Sequence, residues 1–317
     1  MSSNDIIEVE EVVVDMKCCA SCGIAEVDDV KLKPCDGCDL VKYCSDACKA
    51  NHRLQHETSC KERATELRDE ILFRQPESTH LGDCPICCLP IQVEGRKYVF
   101  TDCCFKMICL GCTYTTMTCR GMGEQQIEET TCPFCREQLG RTEEEQVKTK
   151  LERFEANDPF IVFSVADMHY RHGEYDDAFE CFSKAAELGD VEAHYKLSEM
   201  YSEGHGVEKN EKKEIYHVEE AAIKGHPNAR AFLAGYEENK GRNDRAVKHW
   251  IIAANLGDDD SMKKLKESYK CGFVSKEDFA AALRGHHAVV KATKSPQRDE
   301  ADAIHKMMIA EETAVQK

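Results

Sequence analysis

Basic residues are outnumbered in this 317-residue chain: 42 lysines and arginines face 59 aspartates and glutamates, a formal charge of −17. Sequence-independent phosphate binding depends on clustered lysine and arginine, so this balance argues against nucleic acid and for protein partners. Long apolar runs are also missing. No stretch approaches the roughly 18 residues of a membrane span, so a soluble chain with no membrane partner is expected. The opening MSSNDIIEVEEVVVDMK lacks the basic and apolar regions of a secretory signal. A reducing compartment, cytoplasmic or nuclear, is the expectation that follows. Nor is there a phosphate-binding glycine loop, a nucleophile elbow or a three-ligand zinc site left open. Self-contained hydrolase or transferase chemistry therefore finds no support, and no catalytic residue is assigned.

Cysteine, by contrast, is abundant and unevenly placed: eighteen of the 20 lie between Cys18 and Cys135. Two thiolates separated by two residues can reach one zinc ion from a single tight turn. That spacing recurs in Cys19/Cys22, Cys35/Cys38, Cys84/Cys87, Cys109/Cys112 and Cys132/Cys135. Between Cys44 and Cys60 the spacing changes to i,i+4, as Cys44 with Cys48 and His56 with Cys60, which places each pair on one helix face. Each such pair can complete a site begun by a Cys-x-x-Cys pair. The ligand candidates of this first cluster are Cys19, Cys22, Cys35, Cys38, Cys44, Cys48, His56 and Cys60. Cys18 is read as a spectator that could replace Cys19 by a one-residue slip, and His52 as a packing residue that could compete for metal.

The order of these ligands, with YCSDACKANHRLQHETSC at 43–60, resembles the MYND-type zinc finger over about residues 19–60. That resemblance implies interleaved sites, with Cys19, Cys22, Cys44 and Cys48 on one zinc and Cys35, Cys38, His56 and Cys60 on the other. Arg53 stands where many members carry tryptophan, which implies an altered or absent peptide-binding surface.

A second cluster, CPICCLPIQVEGRKYVFTDCCFKMICLGC followed by TCPFCRE, with Cys119 between the two strings, holds ten cysteines for eight ligand positions. The three Cys-x-x-Cys pairs leave Cys103 and Cys104 as the remaining ligands and Cys88 and Cys119 as surplus. This cluster resembles an all-cysteine variant of the RING finger over residues 84–136. By that resemblance Cys84, Cys87, Cys109 and Cys112 hold one zinc, and Cys103, Cys104, Cys132 and Cys135 the other. Adjacent cysteines on one metal are awkward, so Asp102 is a reserve oxygen ligand. RING fingers of the ligase type position a charged ubiquitin-conjugating enzyme without covalent chemistry of their own. Ile86 and Pro133 match docking positions of that family, and Arg136 matches its basic residue after the last ligand. No tryptophan follows Cys112, so Thr113 to Met117 must serve where many members place an aromatic; the only tryptophan is Trp250. Four zinc ions, two per finger, are expected in all.

Beyond Asp158 helical periodicity replaces cysteine. AAELGD at 185–190, AAIKGH at 221–226 and AANLGD at 253–258 share a phrase whose glycines recur at 36 and 32 residues, a period that signals stacked helical hairpins. These units resemble Sel-one-like repeats, relatives of tetratricopeptide repeats, with a concave face for a peptide or protein. The scattered histidines of this half lack metal spacing, and Cys181 and Cys271 read as isolated buried thiols.

The expected architecture is therefore multidomain, two small zinc-stapled modules followed by an all-α helical-repeat solenoid. The expected segments are an acidic flexible lead-in (1–17), the MYND-type finger (18–60), a linker helix ended by Pro76 (61–80) and the RING-type finger (81–140). A second linker helix capped by Thr142 (141–157), the repeats (158–292) and a terminal helix begun at Ser295 and Pro296 (293–317) complete the chain. The functional expectation is a ubiquitin ligase or ligase adaptor, with a non-enzymatic zinc-finger scaffold as the alternative. Residues Cys18, Cys88 and Cys119 would serve a weaker, redox-sensing reading.

Overall fold

The computed structural model describes residues 18–26, 31–93, 97–101, 103–121, 131–132, 134–137 and 142–315. The expected lead-in over 1–17 lies outside them, as do Asp102 and Pro133. The chain divides into two compact units, Met1–Leu72 and Phe73–Lys317.

In the first unit, β1 (Lys33–Pro34) pairs antiparallel with β2 (Lys42–Tyr43), and α1 (Asp46–Leu72) follows at once. Among the described residues its apolar core around the ligands gathers just Cys19, Leu32, Cys35, Cys38 and Tyr43. So small a core cannot offset the chain entropy lost on folding, which is why modules of this size rely on metal or disulfide staples. Ser45 starts α1 by accepting the Cys48 N–H on its hydroxyl at 3.3 Å. Farther along, Arg63 bridges Glu66 and Glu70 at 3.0 and 3.2 Å; exposed pairs of this kind add little to stability. The helix expected over 61–80 is the second half of α1 and stops at Leu72. Pro76 disfavours helical geometry at Gln75, and the intervening residues serve the second unit instead.

That second unit opens with a segment, 73–82, that has no regular structure and follows the turns between repeat helices. The Phe73 ring lies 4.7 Å from the His249 imidazole, with the Arg245 and Lys248 cations 4.8 and 5.1 Å from its centroid. Asn255 donates to Gln75 at 3.2 Å, and the His80 N–H donates to Gly225 O at 3.1 Å. Gly225 has φ 86° and passes so close to Ser78 that a Cβ would sit 2.4 Å from its carbonyl oxygen, so only glycine fits. Next, β3 (Tyr98–Phe100) pairs antiparallel with β4 (Met107–Cys109), which runs into α2 (Leu110–Gly121).

The remainder is helical: α3 (Glu143–Glu155), α4 (Pro159–His172), α5 (Tyr175–Glu187), α6 (Val191–Glu203), α7 (Glu211–Ile223), α8 (Pro227–Asn239), α9 (Asn243–Asn255), α10 (Asp259–Lys270), α11 (Lys276–Ala292) and α12 (Pro296–Val315). Caps in the sequence explain the boundaries. Thr142 and Glu145 form a capping box on α3, Asp158 caps α4 ahead of Pro159, and Gly173 and Gly204 end α4 and α6 in left-handed geometry. Helices α4/α5, α6/α7 and α8/α9 pack as successive hairpins. One apolar core gathers Val162, Ala166, Phe182, Leu197 and Met200; another gathers Ala234, Trp250, Ala254, Leu265 and Ala282. Each large side chain buried here contributes about 2 kcal/mol. Small cysteine-rich β modules thus precede an all-α repeat solenoid.

The second cysteine-rich module belongs to the same compact unit as the repeats. Phe100 packs 4.1 Å from Phe160 on α4, and Arg153 on α3 lies 5.0 Å from the Phe105 ring. From the other side, Lys97 pairs with Asp302 on α12 at 2.6 Å, and Gln92 donates to Thr293 at 3.0 Å.

Candidate metal centres

Four of the five Cys-x-x-Cys segments fold into one recurring turn, while Cys109 ends β4 and Cys112 sits in the first turn of α2. In each of the four, the N–H of the residue after the second cysteine donates to the carbonyl of the first: Gly23 to Cys19 at 2.8 Å, Asp39 to Cys35 at 3.2 Å, Cys88 to Cys84 at 2.8 Å and Arg136 to Cys132 at 3.0 Å. Those four residues all have φ between 54° and 75°, so the chain reverses there and both sulfurs point the same way. A fifth turn of the same form runs from Thr101 to Lys106. There Phe105 N–H donates to Thr101 O at 2.8 Å with φ 53°, and threonine takes the place of the first cysteine.

These turns gather four clusters of donor atoms, each within 4.8 Å: Cys19, Cys22, Cys44 and Cys48; Cys35, Cys38, His56 and Cys60; Cys84, Cys87, Cys109 and Cys112; Cys103, Cys104, Cys132 and Cys135. A tetrahedron of thiolates on zinc, with bonds of about 2.3 Å, has edges near 3.8 Å. Observed sulfur separations are 3.5 Å for Cys22–Cys44, 3.6 Å for Cys44–Cys48, 3.7 Å for Cys35–Cys60, and 3.8 Å for both Cys87–Cys109 and Cys104–Cys132. Cys103 and Cys135 approach to 3.3 Å, and Cys38 Sγ lies 3.1 Å from His56 Nε2. These separations suit the edges of a metal polyhedron and lie far beyond a disulfide bond. The donor sets fit zinc, and their four members leave no coordination position open.

Electrostatics in the clusters point the same way. Burial pushes the Cys84 thiol up, but the N–H groups of Cys109, Cys87 and Ile86 outweigh it and bring the group down to about 7. Cys132 is likewise brought to about 7 by the N–H groups of Cys135 and Phe134 against burial, and Cys19 to about 6 by those of Cys44, Cys22 and Ser21. Partners move the other way. Cys44 is pushed up to about 12 by the Cys22 and Cys48 sulfurs, and Cys60 to about 11 by burial together with Cys38 and Cys35. Four sulfurs this close can all ionise only with a cation among them, so metal binding and proton release are coupled.

Residues outside the clusters have other work. Cys18 sits in a β-bridge with Ala25, while exposed Cys88 occupies the left-handed turn position. His52 bonds the Tyr43 hydroxyl at 3.1 Å and stacks on His56. The side chain of Cys119 lies outside the described residues. Cys181 is half-buried, but Cys271 is exposed rather than buried; it follows the last turn of α10.

A fifth set, His80, Glu192 and His226, also brings donor atoms within 4.8 Å. Its geometry is wrong for a shared ion. The two imidazoles stack 4.4 Å apart at an interplanar angle of 5°, and a metal in the plane of one ring would lie far out of the plane of the other. Instead His80 Nε2 donates to the Glu192 carboxylate at 2.7 Å, and His226 Nδ1 accepts the Ala229 N–H at 3.3 Å. Burial alone would raise the Glu192 pKa, yet the two imidazoles hold it below the usual carboxylate range. This clamp ties the 73–82 segment to α6 and α8.

The family model of the MYND finger matches residues 19–60. That segment is a MYND finger. The Sel1 repeat model matches 166–190, 191–226 and 229–258, so the hairpins above are Sel1 repeats. No curated protein matches the chain. Among solved structures, a Sel1 repeat protein from Oxalobacter formigenes is 26% identical over 47% of this chain and 64% of its own, with a TM-score of 0.39. The chain thus spans under two thirds of that relative. The antigen c5321 of uropathogenic Escherichia coli, which displays an SLR fold, is 20% identical over 52% of this chain and 36% of its own, with a TM-score of 0.36. The metal clusters and the Sel1 repeats together support a zinc-binding protein-interaction scaffold. Among the described residues no helix is long and apolar enough to cross a membrane.

Proposed function

We propose that the second cysteine-rich module is a RING-type docking site for a ubiquitin-conjugating enzyme, and that the MYND finger and the repeats recruit the protein to be modified. The observation that carries this reading is the alternation of ligand pairs along the chain. Cys84/Cys87 joins Cys109/Cys112, while the intervening Cys103/Cys104 joins Cys132/Cys135. Two interleaved centres cross-brace a short chain into a rigid platform, which suits positioning rather than covalent chemistry. Ile86 is 37% exposed between two ligands, and Arg136 is exposed on the turn after the last one. With Pro133, which lies outside the described residues, they are the proposed contacts of the conjugating enzyme.

In this reading the sixteen clustered residues hold four zinc ions, two per finger, and the working segments are 18–60, 81–140 and 158–292. A reducing compartment, the cytoplasm or nucleus, suits the unbridged thiols. A scaffold without ligase activity is the second reading, and one feature favours it. Ile86, Thr115 and Thr116 share their cleft of about 230 Å³ with Ser295, Gln297 and Arg298 of the C-terminal helix region, which narrows the approach.

Autoubiquitination by zinc-loaded protein across a panel of conjugating enzymes tests the proposal, with Ile86→Ala and Arg136→Ala as controls. Chains that depend on both residues support a ligase. Inactivity with every enzyme, from protein verified to hold its metal, leaves the scaffold.

A further inference from the structure

Arg298, at the start of α12, is 95% buried with only 5% of its surface exposed. Its Nη1 donates to Pro90 O at 2.6 Å and Thr293 O at 2.9 Å, and its Nη2 to Leu89 O at 3.0 Å and to Cys87 Sγ at 3.3 Å. Among the described residues no carboxylate pairs with this guanidinium. A buried charge needs a partner of opposite sign. Four thiolates on one divalent zinc carry a net charge of −2, and Cys87 belongs to such a set. Neutral carbonyls satisfy the hydrogen bonds of the fork, but the sulfur cluster is the anionic group within its reach.

We infer that Arg298 is an outer partner of the Cys84–Cys87–Cys109–Cys112 centre, balancing its charge and orienting Cys87, so that α12 is a working part of the second zinc module. The packing around it is built to the same end. At Gly111, on α2 beside Cys112, an added Cβ would meet Arg298 Cγ at 2.8 Å, its N at 2.9 Å and its Cα at 3.0 Å. The helix seats its first turn directly on that glycine. Ser295 caps α12 by accepting the Arg298 N–H at 3.3 Å, and Lys97 holds Asp302 one turn farther on. Zinc occupancy and docking of α12 are therefore linked: a filled centre supplies the counter-charge that the buried guanidinium needs, and the guanidinium in turn steadies the filled centre. The inference rests on zinc occupancy of this cluster and not on ligase activity.

The test is competitive chelator titration of the full chain, zinc being counted by native mass spectrometry, with hydrogen exchange over residues 296–307 followed in parallel. A Cys84→Ser chain identifies which zinc belongs to this centre. Removal of an outer partner costs 10- to 100-fold in metal affinity. Arg298→Ala is expected to weaken this zinc by that factor, leave the others unchanged and raise exchange in α12. Arg298→Lys, which keeps the charge without the fork, falls between. Gly111→Ala lifts the helix while retaining all four sulfurs and the arginine, and it should weaken the same zinc. Unchanged affinity in Arg298→Ala, even with α12 loosened, reduces the arginine to a packing residue and overturns the inference. Wild-type protein without zinc at this cluster overturns it together with the zinc assignment.

Discussion

Thr101 Oγ1 lies 3.0 Å from Cys104 Sγ, in the place that a cysteine occupies in the four other turns. The substitution changes which sulfurs the turn can offer. With no thiol at its first position, the turn presents Cys103 and Cys104 together, and they face Cys135 and Cys132 at 3.3 and 3.8 Å. Two neighbouring residues can reach one ion here because the reversal at Phe105 bends the chain around them.

If both sulfurs bind metal, Cys103→Ser and Cys104→Ser each lose one zinc per chain, whereas Cys88→Ser loses none. Native mass spectrometry under mild chelation makes the count. A Cys103→Ser chain that keeps its full complement would move the fourth ligand elsewhere.

Phe73 anchors the segment that joins α1 to the second zinc module, through its ring against His249, Arg245 and Lys248. The side chain is half-buried, so its loss falls below the range for a full core phenylalanine. Phe73→Ala should destabilise the second unit by about 2 kcal/mol. A urea titration followed by Trp250 emission measures this, since Trp250 is the only tryptophan and lies on α9 in a buried core. An unchanged midpoint would mean that the segment rests on the repeats without contributing to their stability.

Local rules reached far into this structure. Cysteine spacing predicted four of the reversing turns, since two intervening residues let one tight turn carry both thiols, whereas Cys109 and Cys112 are carried by the end of β4 and the start of α2. Thr142 and Ser295 were legible as caps, and the recurring Ala-Ala-x-x-Gly phrase predicted the repeat turns. Periodicity is silent about partners far apart in sequence. Arg298 and Cys87 are 211 residues apart, and an arginine near the start of an acidic helix reads as solvated. Thr101 escaped for the opposite reason, because a turn that lacks its first cysteine carries no spacing signal. Leu72 was missed as the end of α1 because the apolar spacing runs on past it, while the structure uses Phe73 against another helix.

Acid should destabilise the repeats through histidines buried in neutral form. Burial, aided by Arg230 and Arg245, holds His249 down at about 3; burial and the neighbouring His194 hold His217 at about 4. An exposed imidazole titrates near 6.5. A folded pKa below the unfolded one means that the unfolded chain takes up the proton first, so stability is complete above about pH 6.5 and is lost as pH falls through the folded values. Glu192, held below the usual carboxylate range, adds loss in the same direction below its unfolded value. The urea midpoint reported by Trp250 should therefore fall steadily from pH 7 to pH 4. His249→Phe, which keeps the buried volume without a titrating group, should flatten part of that slope. A midpoint independent of pH over this range would contradict the buried neutral assignment.

Metal removal should divide the second unit along the same lines as its cores. The apolar clusters around Phe182 and Trp250 contain none of the metal-cluster residues, so α4 to α11 keep their burial when zinc is withdrawn. The core of the second module is different, since Cys84 and Cys109 are themselves members of it, beside Ile91 and Ile108. With four ligands released, too little apolar surface remains to hold β3, β4 and α2 in place. Chelation is therefore expected to leave most helical circular dichroism and the Trp250 emission intact. Hydrogen-exchange protection should vanish over 98–121 and, through the loss of Arg298's anionic partner, over the first turns of α12. Helical signal lost in full on chelation would show instead that the repeats depend on the zinc module for their own stability, and retention of protection over 98–121 would show that its fold does not need the metal.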